Sequence, residues 1–157
     1  MLKKVLVLLS LTNWILATPI ILYVKNKNII VQGKPVTVDT IEQANGTWGY
    51  LAPLGQEYFD VIVKNQLKEP TVIHWHGILL PNSQDGTELT QKAIPAGGEY
   101  HYKFQLKQTG TYWMHSHYAF QEQEFAEAPL ILQDATDKKY QQVVIMFQDF
   151  SFKRPEI

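Results

Sequence analysis

The chain contains no cysteine. That excludes disulfides, thiolate catalysis and every cysteine-ligated metal centre. It also carries almost no excess charge: 14 Lys and Arg stand against 15 Asp and Glu, for a formal net charge of −1. Bulk electrostatics therefore give it no attraction for nucleic acid or for an anionic membrane. There is no Walker loop, no dinucleotide-binding glycine fingerprint and no Gly-x-Ser-x-Gly elbow, so the common phosphate-cradling and hydrolase motifs are excluded. No long helical hydrophobic period and no internal repeat run through the chain, apart from one short echo taken up below.

What is present is β-forming. Hydrophobic residues make up 45% of the chain and aromatics 12%, and β-branched residues are frequent, a composition that suits pleated, half-buried strands. A length of 157 residues predicts one domain with a single core.

Met1 to Ala17 reads as an export signal. Lys3 and Lys4 form its positive start, Val5 to Leu11 its apolar centre, and Ala17 a small residue before cleavage. The alternative, a retained anchor, needs about 20 apolar residues, and Ser10, Thr12 and Asn13 interrupt the run. The mature protein is therefore expected to be exported, and periplasmic if the source is a Gram-negative bacterium.

From Pro19 on, short strands and turns alternate. Strands are expected at 20–25 and 28–31 around Asn26-Lys27, then at 36–41, 58–63, 71–76, 99–106, 111–117, 129–133 and 143–147. Gln32-Gly33-Lys34-Pro35, Asn45-Gly46, Asp85-Gly86 and Thr109-Gly110 punctuate them. Such spacing without helical period predicts an all-β antiparallel sandwich or barrel. Residues 78–98 form a long connection, which favours a functional loop. Residues 118–127 are acidic and read as a solvated loop or a short helix. In 99–106, Tyr100, Tyr102, Phe104 and Leu106 alternate with His101, Lys103 and Gln105, which makes His101 a surface histidine.

The remaining four of the five histidines lie in two pairs, His74-Trp75-His76 and His115-Ser116-His117. Residues i and i+2 of a strand share a face, so each pair projects together. If the strands are adjacent, four imidazoles converge. Imidazole is the commonest metal-ligand side chain, and an all-nitrogen set suits copper, zinc, iron or nickel. The competing reading is two strands whose histidines merely pack or face water. By the same parity, Trp75, Met114 and Ser116 point away from the site. Trp113 shares the histidine face and is read as packing that could also wall the site.

These residues carry a resemblance. His74-Trp75-His76-Gly77, Leu80-Pro81-Asn82, Asp85-Gly86, Gly110-Thr111-Tyr112-Trp113-Met114-His115-Ser116-His117 and Gln121 together resemble the N-terminal plastocyanin-like domain of multicopper oxidases, in the copper-resistance and laccase-like branch. The likeness runs from about Gly33 to Gln133. It implies a cupredoxin-like Greek-key β-sandwich over residues 19–134, with 135–157 a linker and the first strand of a truncated second domain. Full-length members oxidise a substrate at a type 1 copper and reduce dioxygen to water at a type 2/type 3 trinuclear cluster, whose His-x-His ligands come half from the first domain and half from the last. The resemblance implies copper as cofactor, His74 as the type 2 ligand, and His76, His115 and His117 as type 3 ligands. It makes Asp85 a catalytic carboxylate that helps deliver protons to oxygen, where the local sequence alone is equally a turn.

The departures from the family bear on function. Without cysteine and without a third His-x-His, this chain cannot hold a type 1 copper or complete the cluster alone. The expected function is thus the copper-binding N-terminal half-site of a multicopper oxidase, inactive alone. A complementary C-terminal oxidase polypeptide would be its partner, with dioxygen and a reducing substrate entering once the site is complete. An exported, non-catalytic copper-buffering module is the alternative. Where the family has glycines between Gln121 and Pro129, Glu124, Ala126, Glu127 and Ala128 stand here, which leaves the local backbone path open. The apolar run 143–147 is expected to promote aggregation, and removal of 141–157 to improve solubility.

Overall fold

The structure, a computed structural model, describes residues 18–53 and 55–153; the expected export signal lies outside them. Among the described residues eight strands form: β1 (Ile20–Val31), β2 (Lys34–Gln43), β3 (Tyr50–Ala52), β4 (Tyr58–Asn65), β5 (Ile73–His76), β6 (Glu99–Gln105), β7 (Gly110–Ser116) and β8 (Glu127–Leu132). They build two four-stranded sheets, ordered β2-β1-β4-β6 and β3-β8-β7-β5. Two parallel pairings, β1 with β4 and β3 with β8, tie distant parts of the chain together. Among the described residues no helix is long and apolar enough to cross a membrane.

The alternation expected in the sequence determines which faces meet. Along β4, Phe59, Val61 and Val63 are buried while Asp60 and Ile62 are only half-buried. Along β6, Tyr102 and Phe104 are buried and His101, Lys103 and Gln105 exposed. These side chains pack against Trp75, Met114, Ala128 and Leu130 of the other sheet. Trp75 lies at the centre, fully buried, with edge-to-face contacts to Phe59 and Tyr102 at ring separations of 4.6 and 4.9 Å. Burial of this aromatic cluster stabilises the sandwich, because each ring removes a large apolar area from water and gains from the edge-to-face geometry.

Three local expectations are corrected. Residues 20–31 form one strand, not two, because β2 pairs with it without a break from Leu22↔Gln43 to Val31↔Lys34. Asn26 and Lys27 make no turn; their side chains bond to Asp39 and Glu42 on β2. The short β3 was not expected; Tyr50 to Ala52 pair with Leu130 to Leu132. Residues 143–147 form no strand, and Val143, Ile145 and Phe147 are exposed.

Candidate metal centre

β5 and β7 are adjacent and antiparallel, with His74 opposite His115, Trp75 opposite Met114 and His76 opposite Trp113. Directly opposed residues share a face. The register therefore brings His74, His76, Trp113 and His115 to one side and sends Trp75 and Met114 into the core, where both are fully buried. Ser116 also turns inward and is buried. His117 follows the last residue of β7, with its amide bonded to the Val72 carbonyl at 2.9 Å, so the same face continues one residue further.

The imidazoles converge. The His74 ring lies 5.6 Å from His76, 5.4 Å from His115 and 5.3 Å from His117, and the His115 and His117 rings are 5.2 Å apart. The candidate ligand atoms of His74, His76 and His115 lie within 4.8 Å of one another. His76 Nδ1 and His115 Nε2 face each other at 3.2 Å. Metal–imidazole bonds of about 2.0–2.1 Å place neighbouring donor atoms about 3 Å apart, so this pair already has the spacing of two ligands on one ion. The donor chemistry and spacing fit a borderline transition metal such as copper.

Other residues orient the rings. His74 Nδ1 lies 2.7 Å from the Asp85 carbonyl oxygen and 3.5 Å from its carboxylate. Donation from Nδ1–H to that carbonyl leaves Nε2 of His74 free to ligate. Asp85 is held from two sides. The single 3-10 turn Asn82–Gln84 before it is fastened to β6, where Tyr100 Oη donates to the Ser83 carbonyl at 3.2 Å and the Lys103 amide to Gln84 Oε1 at 2.7 Å. Gly86 after it lies against the β5 backbone, where a Cβ would fall 1.7 Å from the Ile73 carbonyl oxygen. The long connection is therefore the loop that seats Asp85 on His74.

Trp113 stacks on both neighbouring imidazoles, 4.2 Å from His115 and 4.9 Å from His76; it packs and walls at once. His115 is nearly fully buried. Burial pushes its pKa below the ordinary histidine value, opposed by the Glu122 carboxylate and by the Ser116 carbonyl. The neutral form, the one that binds metal, is thereby favoured.

His101 is on the outer face of the other sheet, 2.6 Å from Asp60 Oδ1 and away from the four imidazoles. Glu122 escaped the sequence reading. Its segment was expected to be solvated, yet Oε2 lies 3.0 Å from His115 Nδ1, and the preceding Gln121 is buried. The one available signal was Gln121 itself, an uncharged polar residue inside an acidic stretch. Phe125, in the same turn, takes a left-handed φ of 78°.

The chain is similar to known proteins of one family. Residues 55–137 match the family model described as Multicopper oxidase. The copper resistance protein A homolog of Pseudomonas syringae pv. tomato is 41% identical over 97 residues, which cover 59% of this chain and 16% of that protein. The multicopper oxidase MmcO of Mycobacterium tuberculosis is 39% identical over 107 residues, 67% of this chain and 21% of its own. The chain thus matches less than a quarter of the length of either relative. Among solved structures, a multi-copper oxidase from Pseudomonas thermotolerans superposes with a TM-score of 0.67 at 26% identity, over 74% of this chain and 29% of its own. A laccase from Botrytis aclada does so with 0.62 at 35% identity, over 72% and 22%. The fold is the expected cupredoxin-like sandwich, and with its family model, histidine strands and relatives in agreement, this chain belongs to the multicopper oxidase family.

Proposed function

We propose that this chain binds copper through His74, His76, His115 and His117 and supplies half of a type 2/type 3 trinuclear site. The observation that carries the reading is the group of three imidazole donors within 4.8 Å, on one face of two paired strands. These 157 residues contain no cysteine and so supply no cysteine ligand for a type 1 centre. Oxidase activity, with dioxygen as acceptor and a reducing substrate as donor, therefore requires further ligands that these 157 residues do not carry. His76 and His117 are the exposed members of the set, so the face that a partner would complete is open.

Bound copper would supply electron transfer to dioxygen. The chain's own residues would orient that chemistry and feed it protons. His74 is held by the Asp85 carbonyl through Nδ1, and the half-exposed Asp85 carboxylate could take a proton from solvent and release it beside the cluster. Export of the chain belongs to the same reading, since the relatives include copper resistance proteins. A second reading, a non-catalytic exported copper buffer, rests on the same three donors: they fit one ion before any partner arrives.

Copper titration of the whole chain tests the proposal. The wild-type chain should bind Cu(II), and the double variant His74→Ala, His76→Ala should lose at least one bound ion. Unchanged stoichiometry sinks the assignment. Phenol oxidase activity of the isolated, copper-loaded chain should be absent; robust turnover would show that no ligands beyond these residues are needed.

A further inference from the structure

His115 Nδ1 faces two acceptors. The Ser116 carbonyl oxygen lies 3.1 Å away and Glu122 Oε2 3.0 Å away. A ring nitrogen with two acceptors around it carries the proton. The lone pair is then on Nε2, the atom directed at His76 Nδ1. Of the two acceptors the carboxylate is charged, and a hydrogen bond to it is the stronger. The carboxylate adds negative charge opposite the ligating nitrogen, which raises its basicity and its affinity for a cation.

We propose that Glu122 is a positioning residue of the metal centre: its carboxylate selects the Nδ1–H form of His115 and so assigns Nε2 to the metal. The proposal rests on the copper reading given above.

The surrounding contacts place Glu122 by design of the turn and not by chance. Gln121 Oε1 accepts from Thr71 Oγ1 and from Ser116 Oγ, each at 2.7 Å. Its Nε2 donates to the Pro70 carbonyl at 2.8 Å and to Glu69 Oε1 at 3.2 Å. Ser116 Oγ in turn accepts from the Tyr118 amide at 3.1 Å. One buried amide thus ties the start of the turn to the strand end on either side of His117. The far end is closed by the Ser116 amide on the Ala126 carbonyl and the Ala126 amide on the Gln121 carbonyl, at 2.8 and 2.9 Å. With both ends fastened, Glu122 is delivered to His115. Glu127 lies opposite His115 in the strand register, but its carboxylate is bonded to Gln148, so it is not the partner of the ring.

The test reads the imidazole directly. In the metal-free chain, ¹⁵N–¹H correlation spectra should show His115 as the Nδ1–H form, its signals identified by their loss in His115→Gln. Glu122→Ala should shift His115 toward the Nε2–H form that free imidazole side chains prefer in water. Glu122→Gln, whose amide oxygen still accepts, should retain Nδ1–H. Copper affinity should fall about 10- to 100-fold in Glu122→Ala and less in Glu122→Gln, with unfolding midpoints close to wild type. An unchanged His115 tautomer in Glu122→Ala overturns the proposal, whatever copper does. If the wild-type chain binds no copper, the copper reading falls while the tautomer shift still decides the role of Glu122.

Discussion

Gly86 is the residue on which the seat of His74 depends. Its φ of 75° is in the left-handed region, and a Cβ would meet the Ile73 carbonyl oxygen at 1.7 Å, a backbone atom that cannot step aside. Both constraints point the same way, since glycine alone satisfies the dihedral without steric cost and leaves the space empty. Gly86→Ala should therefore push the loop off β5, part Asp85 from His74 and destabilise the fold by about 1–3 kcal/mol. Denaturant unfolding measures the loss, and copper titration should show weaker binding in the same variant. A Gly86→Ala chain of wild-type stability and affinity would mean that the loop settles elsewhere without disturbing His74.

The β1–β2 hairpin presents a different kind of dependence. Glu42 is buried on β2, with Lys25 at 3.1 Å and Lys27 also bonded to its carboxylate. Burial acts to raise its pKa, but hydrogen bonds and charge from Lys27 and Lys25 prevail and hold it below the ordinary value of 4.5. With the folded-state pKa below the unfolded one, the unfolded chain binds more protons in the interval between them, so stability rises with pH there. The contribution is complete above about 4.5 and is lost as pH falls through the folded value. In chemical denaturation, the advantage of the wild type over Glu42→Gln should be full near neutral pH and should shrink steadily below about pH 4.5. A gap that stays constant into strong acid would mean that the lysines do not stabilise the carboxylate.

That hairpin also shows what a sequence conceals at the level of elements. Asn26-Lys27 has turn composition, yet both residues are mid-strand because Asp39 and Glu42 across the ladder bond to them; long-range partners outweighed local preference. The histidine strands were legible because period two acts locally: the parity of His74, His76 and His115 is set by the strand itself, whatever surrounds it, and His117 continues it one residue past β7. Trp75 and Met114 were placed in the core by the same rule, and both are there. Glu122 was not legible, since its contact depends on the turn that Gln121 and Ala126 close and on a left-handed residue at Phe125. No periodicity announces such a path.

For the molecule as a whole, two opposite properties are joined in residues 141–153. Val143, Val144, Ile145 and Phe147 are exposed in sequence, at 74, 48, 70 and 92%. Contiguous apolar surface of this kind favours self-association. The next residues do the reverse. Gln148 bonds to Glu127, Phe150 meets Phe125 edge-on at a ring separation of 5.4 Å, and Phe152 lies beneath the Lys34 ammonium at 5.0 Å. The expectation that removing 141–157 simply improves solubility therefore divides in two. Val143→Thr, Ile145→Thr and Phe147→Lys combined should raise solubility and leave the unfolding midpoint where it is, because these side chains have few neighbours to lose. Truncation after Phe147 should keep the exposed run and uncover Phe125, at a cost of about 0.5–1.5 kcal/mol for the aromatic pair beyond its buried area. Thermal unfolding and sedimentation of the two chains separate the effects. If the truncated chain melts no lower than wild type, residues 148–153 add nothing to the sandwich, and the support they give to the turn that carries Glu122 is dispensable too.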